Sequence, residues 1–135
     1  MSVRVWMVFE AIAPEKETVE NSMEEHIERL GSDEGVEVSE KEQEETKEMD
    51  NPHPSLEKGY SKVVELEVEF DDFTTALKTV TNYGPTYVQF IGPENFKMGM
   101  KEAQESLQTV ADTMHKYTQK GVGGVVVSRE TDETA

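Results

Sequence analysis

The chain has 135 residues, with 29 Asp+Glu against 13 Lys+Arg and no cysteine, for a formal net charge of −16. Disulfide scaffolds, thiolate metal sites and cysteine nucleophiles are therefore excluded. So much negative charge also argues against direct nucleic-acid binding, which needs Lys and Arg to neutralise phosphates.

The N-terminus is apolar, but Arg4 and Glu10 punctuate it and it does not read as a signal peptide. No apolar run is long enough to span a membrane. A cytoplasmic protein without membrane association is expected.

Residues 3–13 alternate as a strand. Val3, Val5, Met7, Phe9 and Ala11 share one face, and Trp6, Val8 and Ile12 give the other enough apolar surface to need cover. Pro14 ends the strand. Residues 15–30 predict a helix, with Val19, Met23, Ile27 and Leu30 as one stripe, His26 beside it and Gly31 as terminator.

Residues 36–50 are ambiguous. Val36 and Val38 start a strand, whereas Ser39 and Glu42 have the spacing of a helix capping box. No apolar stripe accompanies that box, so a charged strand arm is favoured. Asp50-Asn51-Pro52-His53-Pro54 has the composition of a turn.

Residues 60–70 give the clearest strand. Tyr60, Lys62, Val64, Leu66, Val68 and Phe70 lie on one face, and Ser61, Val63, Glu65, Glu67 and Glu69 on the other. Asp71 or Asp72 then caps a helix with Phe73, Ala76, Leu77 and Val80 as its stripe, ended by Gly84-Pro85. A short strand follows over Thr86–Ile91. The last helix runs from Met100 to Lys120, with a seam of Met100, Ala103, Leu107, Val110, Met114 and Tyr117. The seam reads as a core face first and as a dimer contact second. Gly121-Val122-Gly123-Gly124 breaks the helix, and Val125-Val126-Val127 is the candidate for a final strand.

The expected fold is α+β. The order β-α-β-β-α-β resembles the ferredoxin-like fold over residues 3–91, with an additional C-terminal helix and the short final strand beyond it. One domain is expected over residues 1–127, with 128–135 as a polar, disordered tail. The extra helix is expected to cover the second sheet face or to pack against another subunit.

The composition also resembles that of small acidic proteins from halophilic archaea. It departs from that pattern in having 23 Glu to 6 Asp and 10 Lys to 3 Arg. The acidity is uneven too, since residues 15–50 hold 15 acids and 4 bases.

Chemistry is harder to read. His26, His53 and His115 are isolated, without the spacing of a zinc site on one helix. Glu65, Glu67 and Glu69 form a row about 7 Å apart by strand rise. Such a row is most simply a solvated face, and otherwise a site for a hard cation or acid–base work. There is no G-x-G-x-x-G, P-loop or G-x-S-x-G, and no cofactor is expected. Ligand-binding candidates are Tyr60, His53, Tyr83 and Tyr87, with the last two placed to line a pocket beside Gly84-Pro85. These features point to a ligand-sensing or protein-interaction module that forms a homo-oligomer. The alternatives are a carboxylate or histidine acid–base enzyme, with or without a divalent metal, and an acidic partner for a basic protein.

Overall fold

The computed structural model describes residues 2–54 and 56–119, and for Pro52, His53, Leu56 and Gln119 the backbone alone. It is an α+β structure with eight elements: β1 (Val3–Ala13), α1 (Lys16–Gly31), β2 (Val36–Gln43), β3 (Lys47–His53), β4 (Leu56–Phe70), α2 (Phe73–Tyr83), β5 (Tyr87–Gly92) and α3 (Met100–Gln119). The predicted glycine break, the candidate strand Val125-Val126-Val127 and the tail 128–135 lie outside the described residues.

The chain divides into two compact units, residues 1–97 and 98–135. The first holds a five-stranded antiparallel sheet in the order β2-β4-β1-β5, with β3 paired to β4 as well. β2 pairs the second half of β4, from Val64 to Phe70, and β3 pairs the first half, from Leu56 to Ser61. Both lie on the side of β4 away from β1. The residues expected to form a turn at 50–54 are therefore mostly strand, because β3 runs to His53 before the chain reverses.

The core sits between α1, α2 and one sheet face. Val3, Val5, Met7 and Phe9 of β1 and Val64, Leu66, Val68 and Phe70 of β4 are buried there. Against them pack Met23, Ile27 and Leu30 of the predicted α1 stripe, whose fourth member, Val19, is buried as well. Burial of each such side chain contributes about 1.5–3 kcal/mol. Gly31 is the last residue of α1, and the left-handed turn falls later, at Gly35 with φ 79°.

α2 starts where Asp72 accepts hydrogen bonds from the Thr75 N–H (2.8 Å) and hydroxyl (2.7 Å). It ends at Gly84, whose φ of 63° and ψ of 54° are left-handed values that suit glycine. The buried face of α2 is rotated from the expected one. Thr74, Ala76 and Thr79 are buried, and Leu77 is half-buried. Phe73 turns instead towards Phe90 and Phe96, with ring centroids 6.2 and 6.0 Å away.

In the second unit, α3 leaves its apolar seam exposed, with Met100 at 85% and Leu107 at 70%. Periodicity locates a stripe but does not say what covers it. Among the described residues, no helix is long and apolar enough to cross a membrane.

Candidate functional site

The sheet face opposite α1 and α2 is built by a single irregularity in β2. Val36 and Val38 point to the core, opposite Phe70 and Val68, so regular alternation would send Glu40 and Glu42 to the core side as well. The register shifts between Val38 and Glu40, with Ser39 as the extra residue, and its hydroxyl donates to the Glu67 carbonyl at 3.1 Å. After the bulge, Lys41 faces the core side. Glu40 and Glu42 join Glu37 on the opposite face.

The result is three cross-strand pairs of like charge. Glu37 stands opposite Glu69, Glu40 opposite Glu67 and Glu42 opposite Glu65. Continuing across the sheet, β1 places Arg4, Trp6 and Val8 beside Glu69, Glu67 and Glu65. β5 then adds Gln89 beside Trp6 and Tyr87 beside Val8. Arg4 is the sole cation in these rungs. Directly opposed like charges oppose sheet formation, so the hydrophobic core on the other face carries the cost.

Trp6 marks the border between the glutamates and the aromatic side. Its indole N–H donates to Glu65 Oε1 at 3.2 Å, and Tyr87 packs edge-on against it at 5.3 Å between centroids. A notch of about 110 Å³ lies there, lined by Trp6, Glu40, Glu42, Glu65, Leu66 and Glu67. Among the described residues, no group of three or more His, Asp or Glu is arranged to hold a metal ion.

A second concavity, of about 280 Å³, opens on the helix side of the sheet and is lined by residues that include Phe9, Glu10, His26, Tyr83 and Gly84. His26 Nε2 lies 2.8 Å from the Tyr83 carbonyl. A carbonyl can only accept, so Nε2 carries the proton. The imidazole is sandwiched edge-on between Phe9 (5.5 Å) and Tyr83 (5.1 Å). The Tyr83 hydroxyl donates to Asp33 Oδ2 at 2.7 Å. Burial, with that bond second, raises the Tyr83 pKa above 10.0.

The predicted ligand-binding residues are scattered. Tyr83 lines the His26 concavity beside Gly84, as expected of it alone. Tyr87 lies on the other sheet face against Trp6, so the two tyrosines do not share a pocket. Tyr60 is half-buried on β4 opposite Ala13. His53 ends β3, and its side chain lies outside the described residues. Nor are the Glu65, Glu67 and Glu69 row and His26 brought together, since they occupy opposite faces. His115 is exposed on α3. Sequence reasoning missed Trp6 as a site residue and the pairing of the two glutamate rows. The signal for the pairing was the run of acids in β2, but its register was not legible.

A family model matches residues 4–135. The chain belongs to the MJ0538 family. That family name states no activity, and no curated protein matches the chain. In this member of the MJ0538 family the two glutamate rows meet Trp6 at the notch.

Proposed function

We propose that this protein is an interaction module whose glutamate face binds a Lys- or Arg-rich segment of a basic protein partner. The observation that carries the reading is the notch where Trp6 meets Glu40, Glu42, Glu65 and Glu67. Its size suits the head of a lysine side chain. An ammonium there gains from several carboxylates and from the indole face. It also relieves the repulsion between the paired rows, so the site is electrostatically unsatisfied until a cation arrives. Steering by the wider negative field raises the encounter rate.

The fold reading goes with it. We take the sheet as ferredoxin-like, with β2 and β3 as one long strand interrupted at residues 44–46. Two bonds within the interruption support this: the Glu44 N–H donates to the Val63 carbonyl at 3.1 Å, and Lys62 Nζ donates to the Glu44 carbonyl at 2.7 Å.

Trp6 is the only tryptophan in the chain, so its fluorescence reports the site directly. A short oligolysine peptide should perturb that emission at low salt and bind progressively less well as salt rises. Glu67→Gln should weaken the binding. Emission unmoved by the peptide, or binding indifferent to salt, refutes the reading.

Ligand sensing is the second reading, favoured by the concavity that His26 and Tyr83 line. Its volume suits only a small molecule. Screening fragments against the wild type and His26→Gln tests it. Hits retained equally by both count against it.

A further inference from the structure

The two ends of the sheet differ in kind. At one end, β2 and β3 present Glu37, Glu40, Lys41, Glu42, Lys47 and Glu48, the charged dressing that keeps an edge strand from pairing with another chain. At the other end, β5 carries no such protection. From Thr79 to Pro93 the chain has no Asp, Glu, Lys, Arg or His, although the whole molecule carries −16. Along β5, Tyr87 is 52% exposed, Phe90 54%, and Val88 and Ile91 38% each. Among the described residues, β5 pairs with β1 alone.

We propose that β5 is a homodimer edge, pairing antiparallel with β5 of a second copy. Charge selects the occupant. A second copy of this polyanion is repelled at the glutamate face and at the β2–β3 edge. It meets no opposing charge at β5. Apolar side chains there lose water on pairing, and the outward backbone groups of both strands are satisfied together.

Symmetry then dictates the geometry. Two identical edge strands in one continuous antiparallel sheet are related by a two-fold axis perpendicular to it, which passes where a residue faces its own copy. Gln89 and Phe90 are equally central in β5, and the proposed axis passes Gln89, on the glutamate face. Both helical layers then lie on one side of the joined sheet. Both glutamate ladders lie on the other, with the Trp6–Tyr87 pairs between them. The dimer would offer a basic partner two equivalent acidic sites.

The test uses the full chain, in light scattering after size exclusion and in amide hydrogen exchange, at low and at molar salt. A dimer that tightens with salt is expected, with slow exchange across residues 87–92. Gln89→Glu places two carboxylates face to face and should weaken the dimer about fourfold at low salt, with recovery at high salt. Ile91→Lys should dissociate it as well, and far-ultraviolet circular dichroism checks that both variants stay folded. A monomer at every salt concentration overturns the proposal. So does a dimer indifferent to both substitutions, or a monomer whose β5 amides are nonetheless protected, which would point to residues 120–135 as the pairing strand. Dimerisation strengthens with salt whereas oligolysine binding weakens with it, so failure of one reading is distinguishable from failure of the other.

Discussion

Replacing Glu67 by Gln should make the protein more stable and less able to bind a basic segment. Glu67 stands directly opposite Glu40, with Glu37 and Glu42 diagonal to it. Opposed side chains lie about 5 Å apart and diagonal ones about 8 Å. In water, unit charges at those separations repel by about 0.8 and about 0.5 kcal/mol. With a screening length of about 30 Å at 0.01 M salt, one opposed and two diagonal carboxylates repel by about 1.5 kcal/mol, and the attraction to Arg4, diagonal to Glu67 on β1, cuts the net to about 1.1 kcal/mol. At 1 M salt the length falls to about 3 Å and the total to about 0.2 kcal/mol. Repulsion from Glu65 and Glu69 along the same strand is left out, because it persists in the unfolded chain. Urea titration of wild type and Glu67→Gln at both salt concentrations measures the difference. The gain expected at 0.01 M corresponds to a melting temperature higher by about 4 °C. A variant no more stable than wild type at low salt, or a gain that does not shrink with salt, refutes the ladder as an electrostatic strain.

Other outcomes follow from the same geometry. Deleting Ser39 removes the unpaired residue of the bulge, so Glu40 follows Val38 directly and Glu40, Lys41 and Glu42 keep their faces and their partners on β4. Oligolysine binding should therefore be retained, and loss of binding in a variant that stays folded would contradict the assigned register. Asp72→Ala removes the α2 cap and should cost about 1 kcal/mol by urea titration at neutral pH. Bonds from the Thr75 hydroxyl and N–H hold the Asp72 carboxyl below its ordinary 3.8, so its contribution is present above that value and disappears as pH falls through the lower folded value. The deficit of the Ala variant should therefore narrow in acid. Tyr83 behaves in the opposite sense, because its folded pKa is raised above 10.0. Its contribution is complete below the unfolded value and declines as pH rises through the folded one. Tyr83→Phe should be less stable at pH 8, by loss of the Asp33 bond, and should lose less than wild type between pH 9 and 11.

The features read correctly from the chain are those set by neighbours in sequence. The α1 stripe, the alternation of β1 and β4 and an aspartate cap at 71 or 72, which the structure gives to Asp72, each follow from spacing within one turn or one pleat. Val19, Met23, Ile27 and Leu30 lie on one helical face wherever that helix is placed. Tyr83 and Tyr87, by contrast, are separated by three residues and by the sheet itself. Between them the chain passes from the end of α2 into β5, and the side on which Tyr87 emerges depends on its pairing with Val8.

The net charge, the uncharged run before Pro93 and the acids of β2 are all determined by the sequence alone. What they do was decided only by the tertiary structure. Strand alternation has a period of two, so one extra residue at Ser39 reverses every side chain after it and sets Glu40 and Glu42 against Glu67 and Glu65. Among the described residues, the sheet order makes an edge of β5 and leaves its apolar side chains exposed. A bulge and a strand order both depend on hydrogen bonds between residues far apart in the chain, and no local pattern encodes those.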